Sequence, residues 1–331
     1  MRSCILDLYV PSKKELIPFR EINMTQQLNI SKASAISNDL YCTELLYELI
    51  EVMQENCPGI NIFELSLYDF LLIILGLRAS SIGVTVPLNI ICNKCKTTHK
   101  YDLRLDKMYS DLCQAQISTQ VIRINDFQFT VNIPSLDKEL ENISQLKYIA
   151  FKDDPDILKL SFILNIDRYV QSVTNNNNNT LINLTSIIEK REFYDKFSIA
   201  SFSDLLLAIQ KIQLNYPIFN FSCGIKGCDK KIYKTLNWDI DKYYFLIKLL
   251  FNDSIIDIFK NMFYLQKIGI PMNYSEKLTS QETKIIWNFF DELEQKKNNI
   301  SKKQNMGLGP TPGPSGADAN TIQSMSDNGE R

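Results

Sequence analysis

The sequence predicts a mixed α+β fold, in which helices pack with short antiparallel hairpins. The 331-residue chain is 45% hydrophobic and 11% aromatic, which is enough apolar material to bury a globular core. Several long segments repeat hydrophobic residues at helical spacing, and shorter segments alternate hydrophobic with polar residues around turns. Two pairs of cysteines lie in such turns, so we expect one structural zinc site to join two of the hairpins.

The composition excludes several large classes of enzyme. The chain has a single histidine, His99, which rules out the H-E-x-x-H motif and leaves only this residue for a Ser-His-Asp triad. Five of the eleven glycines lie in the last 25 residues, and the other six form no dinucleotide-binding or phosphate-binding loop. We therefore predict no catalytic residues, no small-molecule substrate and no enzymatic activity.

Charge and hydropathy bear on partners and compartment. The 36 Lys+Arg and 38 Asp+Glu residues give a net charge of −2, which does not attract nucleic acid or anionic lipid to the whole molecule. The longest apolar run, residues 70–77, has eight residues, whereas a membrane span needs about 20, and the N-terminus has no signal-peptide pattern. We expect a soluble intracellular chain without a membrane partner, whose paired cysteines bind metal rather than form disulfides.

The N-terminal third contains extended segments followed by two helices. Residues 1 to about 35 are predicted to be extended, with a break at Pro11-Ser12, and a helix is predicted over about 40–54. A second helix is predicted to begin after Ser66, whose hydroxyl can accept the Asp69 backbone N–H while the Asp69 side chain reaches back. This helix is apolar on every side, so we expect it to be buried all round.

Arg78 ends the second helix. Its guanidinium favours the negative end of the helix dipole, and we expect it to bind backbone carbonyl groups there.

Two hairpins are predicted next. Strands over about 83–91 and 100–105 flank the first cysteine pair, and strands over 121–124 and 127–133 flank the turn residues Asn125-Asp126.

The second half is predicted to be mostly helical from 135 to 215, interrupted by an exposed loop of five asparagines at 175–179. Strands over 218–222 and 231–238 flank the second cysteine pair.

Two helices are predicted to close the folded part. The first runs from Ser254 to Lys267 and ends at Gly269, and the second begins with a capping box formed by Thr279 and Glu282. From about residue 298 the chain is rich in Gly and Pro and then polar, which predicts a disordered tail. The predicted parts are therefore 1–110 with the first zinc hairpin, 111–215 with a hairpin and helices, 216–297 with the second zinc hairpin and closing helices, and the tail 298–331.

The predicted zinc ligands are Cys92, Cys95, Cys223 and Cys228. Two thiolates leave a zinc ion with open positions, whereas a structural site is closed by four ligands, so we expect the two pairs to share one Zn²⁺ across the 127 intervening residues. The alternatives are two separate incomplete sites, reduced cysteines that only pack, or a thioredoxin-like redox pair at Cys92 and Cys95. His99 is a possible replacement for one thiolate.

The remaining cysteines have no paired spacing and are interpreted as small hydrophobic residues; they are Cys4, Cys42, Cys57 and Cys113.

A zinc-hairpin nucleic-acid-binding protein is the alternative function. Lysines surround the predicted site, at positions 94, 96, 100, 226, 230 and 231. We interpret them as a solvated rim that offsets the negative charge of four thiolates, because neither an RNA-recognition motif nor a C₂H₂ zinc-finger pattern accompanies them. Nucleic acid is therefore not expected as a partner.

Several motifs in order resemble a known family. They are Leu8-Tyr9-Val10-Pro11-Ser12, Pro18-Phe19-Arg20-Glu21, the string Asp69…Leu77-Arg78…Gly83…Cys92-x-x-Cys95, the later Cys223-x4-Cys228 hairpin and Thr279-x-x-Glu282. Over roughly residues 1–297 this order is similar to the baseplate hub and hub-assembly proteins of T-even-type contractile-tailed phages. The C-x4-C spacing, the asparagine-rich loop and the Gly-Pro tail depart from the family pattern.

The resemblance implies a non-enzymatic structural or assembly component of a phage tail baseplate hub. Such a protein would be a zinc-stapled scaffold whose partners are other baseplate hub proteins. It would occur in the host cytoplasm during assembly and in the tail baseplate of the virion.

Overall fold

The computed structural model describes residues 5–39, 41–92, 94–115, 118–152, 155–212, 216–221, 223–225, 228, 234–238 and 243–307. The strands are β1 (Ile5–Val10), β2 (Glu15–Arg20), β3 (Thr85–Ile91), β4 (Thr98–Arg104), β5 (Gln120–Ile124), β6 (Phe127–Val131), β7 (Val170–Asn175), β8 (Thr180–Ile182), β9 (Tyr216–Phe221) and β10 (Lys234–Trp238). The helices are α1 (Met24–Ile36), α2 (Thr43–Asn56), α3 (Leu67–Ser81), α4 (Leu105–Cys113), α5 (Leu136–Phe151), α6 (Ile157–Asp167), α7 (Ile187–Tyr194), α8 (Ile199–Ile212), α9 (Tyr243–Leu250), α10 (Ile255–Lys267), α11 (Met272–Ser275) and α12 (Ser280–Gly307).

Every described sheet is antiparallel. β1–β2, β3–β4 and β9–β10 form two-stranded hairpins, and β5–β6–β7–β8 form a four-stranded sheet in which sequential strands are neighbours. The predicted combination of helices with short antiparallel hairpins is confirmed. Asn125 takes the left-handed φ of 53° that the predicted turn between β5 and β6 requires.

The prediction that residues 1–35 are extended is wrong from Met24 onward, where α1 begins. Asn23 caps this helix, because its side chain accepts the Gln26 backbone N–H (2.9 Å) while the Asn23 N–H donates to the Gln26 side chain (3.2 Å). The helix has no apolar stripe, and its buried face includes Gln26, Gln27, Ser31 and Ser34. It lacks the periodicity by which helices are recognised.

The prediction of a mostly helical segment over 135–215 is wrong at β7 and β8. The asparagines at 176–179 lie exposed, as predicted, but they form the turn of a hairpin rather than a loop between helices.

The predicted start and burial of α3 are confirmed. The Asp69 N–H donates to the Ser66 hydroxyl oxygen (3.1 Å), and 14 of the 15 residues of α3 are buried. The Asp69 carboxylate accepts the Ser66 hydroxyl (2.6 Å) and the Ser12 backbone N–H (3.2 Å), so it also ties the β1–β2 turn to the helix.

Two large hydrophobic cores lie within the described residues, together with smaller clusters. The first surrounds α3 with residues of β1, α2, α4 and α9, among them Leu8, Leu49, Met108 and Ile247. The second lies between the four-stranded sheet and α6–α8, and it contains Phe129, Val173, Tyr194 and Ile209. The cysteine-bearing β3–β4 hairpin extends from the first core through Val86 and Leu103.

Arg78 binds carbonyl groups, as predicted, although one belongs to another helix. Its Nε donates to the Leu250 carbonyl at the end of α9 (2.8 Å), and its Nη1 donates to the Gly83 carbonyl (3.0 Å). Its Nη2 pairs with Asp253 at 3.3 Å. These contacts hold the segment that follows the β9–β10 hairpin against the segment that precedes the β3–β4 hairpin.

Helix α10 begins and ends as predicted, and helix α12 begins as predicted. Gly269 takes a φ of 92° after α10, and its N–H donates to the Gln266 carbonyl (3.0 Å) while the Ile270 N–H donates to the Leu265 carbonyl (2.9 Å), which is a Schellman ending. Thr279 and Glu282 form the predicted capping box of α12.

Residues 1–283 form one compact unit and residues 284–331 a second. Helix α12 reaches Gly307, beyond the predicted tail boundary at 298, and residues 308–331 lie outside the described residues. The division into parts at 110, 215 and 297 stays a prediction. Within the described ranges, no helix combines the length and the apolar character that crossing a bilayer requires.

Candidate metal centre

The first cysteine pair lies in the turn between β3 and β4. Cys92 follows the last residue of β3, and its N–H donates to the Thr97 carbonyl (2.9 Å), while the Lys96 N–H donates to the Cys92 carbonyl (2.9 Å). Lys96 takes a left-handed φ of 57°. These contacts close a tight turn that brings Cys95 back beside Cys92.

The second cysteine pair lies between β9 and β10, whose pairing starts where Phe221 faces Lys234. The Cys228 N–H donates to the Ile225 carbonyl at 2.9 Å, which turns the chain back after Cys223. Each pair therefore lies at the end of an antiparallel hairpin, as predicted.

The structure brings all four sulfur atoms together. They lie within 4.8 Å of one another, and the close contacts cross between the hairpins. The Cys92 and Cys228 sulfurs are 3.8 Å apart, and the Cys95 and Cys223 sulfurs are 3.7 Å apart. The two hairpins meet through these side chains, although 127 residues separate Cys95 from Cys223 in the chain.

These distances fit a metal ion rather than disulfides. Four sulfurs at a Zn–S distance of about 2.3 Å form a tetrahedron whose edges are about 3.8 Å. A disulfide bond would require about 2.0 Å, and all four cysteines are free thiols. Three of them are buried and Cys95 is half-buried, so water has little access to the centre of the cluster. The four residues could therefore hold one tetrahedral metal ion.

Backbone and hydroxyl donors favour the thiolate form of the first pair. Hydrogen bonds from the backbone N–H groups of Cys95 and Lys94 lower the pKa of Cys92. Hydrogen bonds from the side chain and backbone of Thr97 lower the pKa of Cys95 to about 6. Thr97 was not singled out in the sequence, although a residue two positions after a cysteine is well placed to donate its N–H to that sulfur.

The pKa values of the second cysteine pair are shifted upward, opposite to those of the first pair. Burial, followed by the neighbouring cysteines, raises the pKa of Cys228 to about 12. The pKa of Cys223 is also raised, because burial and the Cys95 sulfur outweigh its hydrogen bond from the Ile225 N–H. Four thiolates this close repel one another, so they can all be ionised only if a cation lies between them.

His99 lies beside the cluster. Its Nε2 is 3.4 Å from the Cys223 sulfur, a hydrogen-bonding distance for sulfur. The four cysteines could complete a tetrahedral set without it, and His99 would then neighbour a ligand rather than replace one. Such outer partners orient metal ligands.

The surroundings are basic on the first hairpin, where Lys94, Lys96 and Lys100 are exposed. The predicted rim residues Lys226, Lys230 and Lys231 lie outside the described residues.

Cys42 and Cys57 are buried in the first core and Cys113 packs against it, as the interpretation of small hydrophobic residues requires. Cys4 lies outside the described residues.

Comparison with families of known proteins gives a match. A family model described as "T4 bacteriophage base plate protein" matches residues 1–237, nearly three quarters of the chain, and this range includes all four cysteines. No curated protein and no solved structure matches the chain.

Proposed function

Because the chain belongs to the T4 bacteriophage base plate protein family, we propose that it is a structural or assembly component of the baseplate hub. In this proposal one Zn²⁺, bound by Cys92, Cys95, Cys223 and Cys228, staples two hairpins, and the protein surface binds other hub proteins. The observation that carries the zinc staple is the approach of the four sulfur atoms to within 4.8 Å of one another.

The strength of such a site supports a structural role. Closed zinc sites contribute an apparent binding free energy of about 10–16 kcal/mol, which is comparable with the whole stability of a domain, about 5–15 kcal/mol. A metal at this position would therefore determine whether the two hairpins stay together. Lys94, Lys96 and Lys100 would offset part of the negative charge of four thiolates.

The same geometry supports a role without catalysis at the metal. A catalytic zinc keeps one position open for water or substrate, whereas four thiolates occupy every position of a tetrahedral ion. In this proposal the metal holds the fold, and the hub proteins are the partners.

Metal content tests the staple directly. The full chain should contain about one zinc ion per molecule by inductively coupled plasma mass spectrometry. The variant C95S should lose most of it, because three thiolates leave the site open. The matched variant C113S, which changes a cysteine outside the cluster, should keep its zinc. Two ions per chain, no ion, or full retention of zinc in C95S would contradict a shared site.

The partner prediction needs a separate experiment. The full chain, co-expressed with the other hub proteins of the same phage, should co-purify with at least one of them. Co-purification with none of them, while those proteins still bind one another, would count against a place in the hub.

Nucleic acid binding is a second candidate function, favoured by the three exposed lysines on the first hairpin. This function predicts that the chain binds labelled DNA or RNA and that the binding weakens steeply as the salt concentration rises. The variant K94Q/K96Q should bind more weakly still. If the fluorescence anisotropy of the labelled DNA or RNA shows no salt-dependent change when the full chain is added, the hub scaffold remains the better explanation.

A further inference from the structure

Helix α10 buries one apolar face and exposes another. Ile258, Met262 and Leu265 are buried. On the outer side the exposed fractions are 67% for Ile256, 47% for Phe259 and 71% for Phe263. Spacings of three and four residues place these three on one side of the helix, and we call them the α10 stripe. Large apolar side chains that cluster in water mark an interaction surface.

The charged residues beside the α10 stripe are complementary between two copies of the helix when the copies run antiparallel. Asp257 and Lys260 are both exposed and form an ion pair within the helix at 3.3 Å. When two copies of α10 pack antiparallel, Asp257 of each copy comes near Lys260 of the other. In a parallel two-fold pair, the flank that carries Asp257 and Lys260 faces the opposite flank of the second helix, so these charges do not meet. The antiparallel arrangement is that of a two-fold dimer, in which the same patch serves both subunits.

A cavity beside the start of α10 offers space for a large side chain. It has a volume of about 440 Å³ and is lined by Ser31, Ser34 and Ala35 of α1 together with Phe251 and Ile256, among others. Antiparallel pairing centred near Phe259 brings Phe263 of the second copy towards Ile256 and hence towards this cavity. An exposed aromatic side chain that enters a pocket lined by small residues is the usual anchor of a protein interface.

We propose that two copies of this chain pair through the α10 stripe, antiparallel about a two-fold axis near Phe259, with Phe263 of each copy filling the cavity of the other. The stripe lies outside residues 1–237 and includes none of the metal ligands. The variants that test the pairing therefore change none of the residues on which the proposed zinc staple rests.

Sedimentation velocity of the full chain tests the pairing. The apparent mass should rise from that of a monomer to that of a dimer as the protein concentration increases. F263E should weaken the association at least about tenfold, because it removes the anchor residue. The control F151E changes an exposed phenylalanine at the end of α5 and should leave the association unchanged. Circular dichroism should show the same helix content in all three proteins, since both side chains are exposed.

A charge exchange tests the antiparallel orientation. D257K and K260D should each weaken the dimer, because like charges then meet across the axis, and D257K/K260D should restore it. A monomer at all concentrations, a dimer that survives F263E, or single charge variants that match the native protein would each overturn the proposal. The first of these results would leave the stripe to a different partner.

Discussion

Gly76 lies where α3 packs closely against Leu8 of β1 and Tyr109 of α4. A Cβ atom at this position would lie 2.7 Å from Leu8 Cδ2 and 3.0 Å from Tyr109 Cε2. We expect G76A to lower the free energy of unfolding by about 1–3 kcal/mol, because an extra carbon overpacks this part of the first core. Urea denaturation followed by circular dichroism measures the change.

Gly59 provides the control for Gly76. A Cβ atom there would have nothing within 4 Å, so G59A should change the unfolding free energy by less than about 0.5 kcal/mol. If both variants unfold like the native chain, the packing of Leu8 and Tyr109 against α3 is looser than described.

Arg78 is almost fully buried, with 4% of its side chain exposed, and it connects α3 with the end of α9. R78A should destabilise the protein by about 3 kcal/mol, because it removes three hydrogen bonds and leaves Asp253 without its cation. The loss is measured as a shift of the urea midpoint.

Arg104 provides a matched ion pair at the surface. The Arg104 and Asp106 side chains are 61% and 44% exposed. R104A should therefore lower the free energy of unfolding by less than about 1 kcal/mol. An equal effect of R78A and R104A would show that the contacts of Arg78 add little to stability.

At the scale of single residues, the sequence predicts the cysteines better than their neighbours. The spacings C-x-x-C and C-x4-C are local, so they indicate which thiols are paired. The contact between His99 Nε2 and the Cys223 sulfur joins residues 124 positions apart. It depends on how the two hairpins meet, and no local pattern contains that information.

At the scale of elements, the four sulfurs are where the β3–β4 and β9–β10 hairpins meet. If one metal ion joins them, as proposed, its removal with a chelator should speed amide hydrogen exchange in both hairpins, because each would lose the attachment that orders its turn. Exchange in α6, which belongs to the second core, should stay unchanged. Exchange mass spectrometry resolves the three segments.

The same measurement distinguishes a shared metal from separate ones. With one shared ion, C95S should speed exchange in both hairpins as far as the chelator does. If C95S loosens only β3–β4, the second cysteine pair is held independently of the first.

Elements with a strong local pattern were predictable, and those stabilised by distant partners were not. Helix α3 has a capping serine and a continuous apolar run, so its start and burial follow from the sequence. Helix α1 buries glutamines whose partners come from elsewhere. Gln26 Nε2 donates to Glu55 (2.8 Å) and Gln27 Nε2 donates to Asp253 (3.2 Å). Polar residues satisfied by tertiary contacts look like surface residues in a sequence.

Strand β7 was missed for a related reason. The asparagine run indicated an exposed segment, and it is exposed, but asparagine also serves as a turn residue. Asn179 takes a left-handed φ of 52° within the turn that connects β7 to β8.

At the scale of the whole molecule, the start of α12 is joined to α1 and α3. Ser280 donates to the Gln27 side chain, and Gln281 Nε2 donates to the Ala79 carbonyl (2.9 Å). Truncation after Thr279 should therefore lower the thermal midpoint. Truncation after Gly307 should leave it nearly unchanged, because the removed residues are mostly small or polar and offer few large apolar side chains. Differential scanning fluorimetry compares the two truncations.

The overall class of fold followed from composition and pattern, whereas the arrangement of the two cores did not. The first core combines residues 8–143 with α9 and Phe251. The second core is built from residues 124–131 and 163–212, so its first part interleaves along the sequence with residues of the first core. Which distant segments share a core depends on long-range packing rather than on the spacing of neighbouring residues.

The crossing of the two hairpins at the sulfurs has a mechanical consequence. A metal ion there would form a short bridge across the chain, from residues near 95 to residues near 223. Tension applied to the two ends of the protein would then be transmitted through four metal–sulfur bonds and bypass the 127 residues between them. The four-stranded sheet and its helices would stay unstretched while the rest of the chain was pulled.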